Sequence, residues 1–198
     1  SSPDFKINEG LREKGFWIIS VGNVASAMMT SAMMVHLILA LNGQGLSLQL
    51  SAVMWGVSMA IGGASQMLGG FIGDRLPKRL ALWIFGSIQS IGVTLAPIVN
   101  DLPTAIAFCA IYGVGFGGRA PIPTAMRGEY FGRKSFGKIM GVSAVPLMIM
   151  TMTGPVVAGT LFDRYVDYKL AFLSLAAVGF IGSLSFLFAK RPIHPSLK

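Results

Sequence analysis

The sequence of 198 residues has few charged side chains and a single cysteine. Charged residues make up 12% of it, whereas soluble domains usually carry about 25%. The lone Cys109 excludes a disulfide-stabilised scaffold. Apolar side chains are abundant instead: hydrophobic residues reach 53%, which excludes a disordered chain. Together these values indicate an integral membrane protein, and they argue against a free nucleic-acid-binding protein.

Six apolar stretches are each long enough to cross a bilayer as a helix, which takes about 20 residues. The predicted spans cover residues 16–41, 49–72, 80–99, 102–125, 139–161 and 170–189. The connections on one side of this topology are short, so consecutive helices are expected to be antiparallel neighbours. The sequence therefore predicts an all-α membrane protein with six transmembrane helices.

The 16 lysine and arginine residues lie mostly on one side of this topology. All but Arg164 and Lys169 fall in the N-terminal segment, in or next to the loops after the second and fourth spans, or in the tail. Because short loops rich in lysine and arginine stay in the cytoplasm, we expect both termini to be cytoplasmic and the protein to lie in the plasma (inner) membrane. Residues 1–15 are then a cytoplasmic N-terminal segment, 16–189 the transmembrane domain and 190–198 a cytoplasmic tail.

The loop after the second predicted span has the most specific pattern in the sequence. The residues that form the pattern are Gly70, Gly73, Asp74, Arg75, Lys78 and Arg79. Glycines let a helix end approach a neighbour closely, and Asp74 can face a helix N-terminus, where the helix dipole favours an anion. On charge alone, the loop is equally consistent with an ordinary basic loop on the cytoplasmic side.

The spacing of these residues resembles the signature inner-loop motif of the major facilitator superfamily, with Pro77 in place of the usual glycine. Residues 11–17, 130–141 and 154–168 are similar to stretches of monocarboxylate-transporter-like and oxalate/formate-antiporter-like members, in the same order. The resemblance implies the C-terminal half of a twelve-helix carrier, built as two three-helix inverted repeats, in which the loop motif acts in gating. Because the chain begins at Ser1 rather than at a methionine, we expect it to be a fragment whose N-terminal six-helix half is missing.

His36 is the first candidate for contact with a substrate. It lies five residues before the end of the first predicted span, or about 7.5 Å of helical rise from the outer interface. From the residues alone it is either a packed side chain or a group that binds substrate or a proton, since histidine changes charge near neutral pH. Residues 35–37 are similar to a pattern in monocarboxylate-transporter-like members, which implies that His36 lines the cavity.

Further candidates lie on one face of the second predicted span. Trp55, Met59, Gly62 and Gln66 share that face, which is typical of either packing or a cavity wall. Gln66 can line the cavity as a substrate contact or hydrogen-bond a neighbouring helix. Anion-carrying relatives tend to place an arginine eight residues before the motif aspartate, where this chain has the uncharged Gln66, so a neutral or zwitterionic solute stays open.

Two polar residues in other spans have ambiguous roles. Asn23 lies on a different face of the first span from His36, and we expect it to contact either the substrate or a neighbouring helix. Gln89, in the third span, is polar at mid-membrane and open to the same two interpretations.

The fourth predicted span combines a glycine-rich stretch with an arginine. Gly113 and Gly117 form a GxxxG pattern, which predicts a close helix contact. Arg119 is about 25 Å of helical rise past Leu102, and we therefore expect it close to the inner surface. There it either extends to the headgroups or forms an inner-gate ion pair with Glu129.

The acidic residues restrict how such a protein could use protons. All eight of them lie in loops, tails or helix ends. If transport is coupled to protons, the carboxylate must lie in the missing half, or His36 must serve instead. The methionine-rich patches favour packing over metal ligation, because no His/Cys cluster accompanies them. We therefore expect no metal and no cofactor.

The predicted function is secondary active transport of a small solute, an organic anion such as a monocarboxylate, by alternating access. One alternative is a self-sufficient six-helix protein that homodimerises into a carrier or pore; another is a carrier for a neutral or zwitterionic solute. An enzyme is not expected, since a membrane enzyme would show paired His, Asp or Cys residues near one membrane face. The expected partners are the solute, coupled protons, the lipid bilayer and the missing half, with no nucleic acid.

Overall fold

The structure, a computed structural model, describes residues 5–132 and 136–192, and all regular secondary structure in these ranges is helical. The eight α-helices are α1 (Ile7–Arg12), α2 (Lys14–Gly43), α3 (Leu48–Arg75), α4 (Lys78–Leu95), α5 (Leu102–Arg119), α6 (Ile122–Phe131), α7 (Phe136–Tyr165) and α8 (Lys169–Ser185). Short 3₁₀ helices at Ala96–Ile98 and Phe186–Phe188 continue α4 and α8. Part of the basic loop before α7, residues 133–135, lies outside the described residues.

Six helical segments are long and apolar enough to cross a membrane, so the prediction of six spans is confirmed. They are Lys14–Gly43, Leu48–Arg75, Lys78–Ile98, Leu102–Phe131, Phe136–Tyr165 and Lys169–Phe188. The fourth span is formed by α5 and α6 together. Its continuation past Arg119 is allowed because prolines are tolerated in the first turn of a helix, and Pro123 occupies that place in α6.

The turns between the helices are defined by local capping. Ser47 accepts a hydrogen bond from the backbone N–H of Leu50 at the start of α3, and Asp101 accepts one from Thr104 at the start of α5. Gly45, between α2 and α3, has a φ of 104°, a left-handed conformation that favours glycine. These short turns make α2 and α3 antiparallel neighbours, as they do α4 and α5.

The helices form two closely packed pairs. α3 packs against α5, and α7 packs against α2, while α4 and α8 lie behind and join the pairs together. Glycines make the α3–α5 contact close: a Cβ on Gly113 would lie 2.7 Å from the carbonyl oxygen of Ser58, and one on Gly117 would overlap the backbone of Gly62. The predicted GxxxG contact is therefore confirmed. Between the two pairs, side chains of α2, α4 and α5 meet through the Arg119–Asn23 and Gln89–Thr30 hydrogen bonds, and we call this region the cleft.

One end of the bundle carries most of the basic residues, and we call it the basic end. The start of α2 and the end of α8 meet there, since the carbonyl oxygen of Lys190 would lie 3.1 Å from a Cβ on Gly15. The α3–α4 turn and α6 meet at the same end through an ion pair between Lys78 and Glu129. The turns after α2, α4 and α7 form the opposite end.

Candidate functional site

Arg119 is one of two buried arginines in the fourth span; the other is Arg127. The predicted fourth span ends at residue 125, whereas the helical segment runs on to Phe131. Twelve further residues of helical rise, about 18 Å, separate Arg119 from that end. Arg119 thus lies in the interior of a long apolar helical segment, and arginines inside membrane-spanning segments are rare and costly.

The side chain of Arg119 is buried in the cleft rather than extended to the headgroups. Its exposed fraction is 8%, and its Nη1 donates a hydrogen bond to Oδ1 of Asn23 at 3.3 Å. Its Nε has no partner in the structure. Asn23, a candidate from the sequence, is thus the contact that joins α2 to α5 across the cleft.

The ion pair between Arg119 and Glu129, one of the two alternatives for Arg119, is not formed among the described residues. Glu129 lies on α6 and pairs with Lys78, whose Nζ also donates to the carbonyl oxygen of Gly73 at 3.2 Å. The physical reason is distance, since ten residues of helical rise are about 15 Å. The Lys78–Glu129 pair ties the loop motif to α6 at the basic end instead.

The rest of the loop motif is largely open to its surroundings. The guanidinium of Arg75 lies over the ring of Phe71, 3.4 Å from its centroid. Asp74 and Arg79 are exposed, and Gly70 has open space where a side chain would be. Of the motif glycines, Gly73 is buried, with Ile122 of α6 closest to it.

Three more polar residues complete what we call the polar cluster: Asn23, Thr30, Gln89, Tyr112 and Arg119. Nε2 of Gln89 on α4 donates to Oγ1 of Thr30 on α2 at 2.9 Å. The hydroxyl of Tyr112 and Oε1 of Gln89 are buried without a hydrogen-bond partner. Because buried polar atoms are normally paired, the polar cluster has hydrogen-bonding capacity that the described protein atoms do not use.

An aromatic column borders the polar cluster. Tyr112 stacks between Phe108 and Phe116, with centroid distances of 5.5 and 5.9 Å. The ring of Trp55 on α3 lies 5.8 Å from that of Tyr112. Trp55, predicted from its place on the face of the second span, is therefore next to the polar cluster, although half-buried.

His36 is bound on both sides at the opposite end of the bundle. Its Nε2 lies 2.9 Å from the carbonyl oxygen of Pro155, and its Nδ1 lies 3.1 Å from the hydroxyl of Tyr168. A carbonyl oxygen only accepts, so Nε2 carries a hydrogen. When the imidazole is neutral, the Tyr168 hydroxyl donates to Nδ1; burial raises the pKa of that phenol above its usual range. His36 thus joins α2 to α7 and to the N-cap residue of α8.

The structure brings together only some of the candidate residues. Asn23 and Arg119 are in contact, and Trp55 is connected to them through Tyr112. His36 lies about 20 Å of helical rise from Asn23 along α2. Gln66 is exposed on α3. Tyr112 and Thr30 were missed because aromatic and hydroxyl side chains are common inside apolar helices.

Comparison with known proteins identifies the fold. Residues 16–198 match the sequence profile of the Major Facilitator Superfamily. Monocarboxylate transporter 10 of Rattus norvegicus is 33% identical over 129 residues, which cover 61% of this chain and 24% of that protein. Monocarboxylate transporter 2 of Mesocricetus auratus is 21% identical over 187 residues, which cover 92% of this chain and 38% of that protein.

Solved structures show the same arrangement of helices. An auto-inhibited peptide transporter of the POT family superposes with a TM-score of 0.74 at 16% identity, covering 92% of this chain and 39% of that one. A POT peptide transporter (E310Q mutant) in complex with alafosfalin gives a TM-score of 0.78 at 17% identity, covering 98% and 44%. The chain thus spans less than half the length of these relatives, and its predicted fold class, six helices forming one half of a major facilitator fold, is confirmed. The chain is an integral membrane protein and belongs to the major facilitator superfamily.

Proposed function

We propose that this chain is the C-terminal half of a secondary carrier that moves a small organic anion across a membrane by alternating access. Membership of the superfamily and the similarity to two monocarboxylate transporters support transport of a small solute. The motif after the second span supports the position of the chain in the carrier. In this proposal the basic end and both termini face the cytoplasm, in line with the distribution of lysine and arginine.

The observation that carries the proposal is the open side of the bundle. α3 and α7 are the least buried of the six spans, and Met67 on α3 and Met152 on α7 are 81% and 73% exposed. Three glycines on the exposed face of α3, each seven residues from the next, meet nothing within 4 Å: Gly56, Gly63 and Gly70. Glycine weakens a helix by about 1 kcal/mol unless it permits close packing. A second six-helix half packed on α3 and α7 would use these glycines and close the cleft.

The predicted site residues take distinct places in this proposal. Asn23 and Trp55 lie in or beside the polar cluster and would contact solute in the closed cleft. Gln66, exposed on α3, would face the second half. His36 would hold the opposite end together and serve as a proton site, since its contacts are compatible with a neutral and a charged imidazole. The Lys78–Glu129 pair would hold the inner gate.

The test is uptake by the full carrier in proteoliposomes. A panel of monocarboxylates, amino acids and sugars is offered with and without a pH gradient. Uptake of one or more monocarboxylates supports the proposal, and uptake of amino acids or sugars alone contradicts the anion class. His36→Gln should change the pH dependence of uptake, and an unchanged dependence would remove His36 from proton coupling.

A second copy of this chain is the other possible occupant of the exposed face, as in a six-helix homodimer. The same open side of α3 and α7 favours it. The two assemblies are distinguished by the reading frame upstream of Ser1 and by the mass of the assembly in detergent. Six further spans in the frame support the half-carrier, while a dimer of this chain alone with uptake activity supports the homodimer.

A further inference from the structure

Arg119 has no negative partner in the part of the chain that the structure describes. No carboxylate of the described residues lies within 4.0 Å of its guanidinium, and the acidic residue nearest in the chain, Glu129, is paired with Lys78. The side chain is more than nine-tenths buried, and its Nε is unpartnered. A buried guanidinium without a counter-charge is unfavourable in a bilayer, so such residues mark functional sites.

Arg119 lies far from both ends of its helical segment. Arg119 is about 18 Å of helical rise from the basic end of its span, and Asn23 is about 13 Å from the first residue of α2. Within the six described spans, no other lysine or arginine lies more than about five residues from a span end. An anion that pairs with Arg119 would therefore have to reach it inside the bundle.

The hydrogen-bond donors of Arg119 and its neighbour Asn23 are suited to bind a carboxylate. Nη1 is bound to Oδ1 of Asn23, which leaves the edge formed by Nε and Nη2, and such an edge binds a carboxylate through two parallel hydrogen bonds. The amide Nδ2 of Asn23 supplies further N–H donors in the same polar cluster. The hydroxyl of Tyr112 and Oε1 of Gln89 are buried in the same polar cluster.

We propose that Arg119 and Asn23 form the carboxylate-binding subsite of this half, with the Nε–Nη2 edge of Arg119 holding the carboxylate of a small organic anion. This rests on the proposed function for the route by which the anion arrives. It places the positive charge for anion recognition on α5, because α3 has the uncharged Gln66 on its exposed face and no cation before Arg75 at its end.

Binding to the purified full carrier tests the subsite. The probes are acetate, pyruvate and benzoate, each with its neutral amide, and the readout is protection against thermal unfolding as a function of probe concentration. We expect at least one acid and none of the amides to protect the wild type. Arg119→Gln should lower the affinity for that acid more than 10-fold, and Arg119→Lys should lower it by a smaller factor. Asn23→Ala should lower it about 3-fold to 10-fold. Arg127→Gln removes another buried arginine of the same span and should leave the affinity unchanged.

Several results would overturn the subsite. They are equal protection by an acid and its amide, no protection by any acid, or Arg119→Gln with wild-type affinity. If a carboxylate of the second half neutralised Arg119 instead, Arg119→Gln would destabilise the carrier in buffer alone and leave the acid affinity unchanged. If Arg119→Gln does not fold, the affinity of Arg119→Lys decides, since lysine keeps the charge but loses the two parallel hydrogen bonds.

The two proposals fail separately. If the wild-type carrier takes up an acid and Arg119→Gln takes it up with an unchanged KM, transport stands and the subsite falls. If the wild type binds an acid through Arg119 but moves no solute, the subsite stands and the carrier function falls.

Discussion

The close contact between α3 and α5 makes a sharp stability prediction for Gly113→Ala. An alanine Cβ at this position would lie 2.7 Å from the carbonyl oxygen of Ser58 and 2.9 Å from Cβ of Ile61, whereas ordinary contacts are 3.4–4 Å. Both neighbours are rigid, because one is backbone and the other is the branch point of a β-branched side chain. The two helices would have to move apart by about 0.7 Å, the difference between 3.4 and 2.7 Å.

The expected loss of stability follows from two opposing effects. Overpacking of this kind costs about 1–3 kcal/mol. The higher helix propensity of alanine offsets up to about 1 kcal/mol of this cost. With an overpacking cost in the middle of that range, about 2 kcal/mol, the expected net loss is about 1–2 kcal/mol, which corresponds to a fall in Tm of ~2–8 °C for a chain of this size.

Thermal unfolding in detergent, followed by tryptophan fluorescence, measures this loss. Two glycines serve as graded controls: a Cβ on Gly62 would lie 3.0 Å from an edge carbon of the Phe116 ring, and one on Gly43 would meet nothing within 4 Å. We expect Gly43→Ala to stay within about 0.5 kcal/mol of the wild type and Gly62→Ala to fall between the two. A Tm for Gly113→Ala equal to or above that of Gly43→Ala would refute the close contact.

Three further predictions concern polar contacts. Glu129→Gln should lower the free energy of unfolding by about 0.2–1 kcal/mol. In a double-mutant cycle with Lys78→Gln, the interaction energy between the two side chains should account for most of that loss, and purely additive losses would contradict the ion pair. Tyr168→Phe keeps the ring but removes the hydroxyl bonded to His36, at a cost of about 1 kcal/mol, and the same change in a His36→Phe background should have little effect on Tm. Hydrogen bonds from the first turn of α5 hold the pKa of the Asp101 carboxyl below its ordinary value of 3.8, so the stability it contributes is present above that pH and is lost as the pH falls through its folded-state pKa. In a pH titration of Tm, Asp101→Ala should lower stability at neutral pH and flatten the acid limb, and an unchanged limb would argue against this contribution.

The sequence predicted the spans well and their ends less well. Apolar length is a local property, so six long apolar runs sufficed to find six helices. The predicted fourth span ends at residue 125, whereas α6 runs to Phe131. In the folded chain α6 continues the span, since proline costs little in the first turn of a helix.

The candidate site was only partly within reach of sequence reasoning. Asn23 and Trp55 were selected by polarity and helical face, and the structure places them in or next to the polar cluster. Neither polarity nor helical face distinguished Tyr112 from other aromatic residues in the sequence. On charge alone, Glu129 could form an ion pair with either Arg119 or Lys78. The distances between the side chains in the folded chain show that its partner is Lys78.

The sequence by itself determined the class of this protein, the number of its spans, the glycine contact in α5 and the resemblance of its loop motif, because each depends on residues close together in the chain. The tertiary structure decided which partners the polar groups have. Asn23 and Arg119 are 96 residues apart, and His36 and Tyr168 are 132 residues apart. Inside a membrane water cannot satisfy such groups, so their partners depend on which helices the packing brings together.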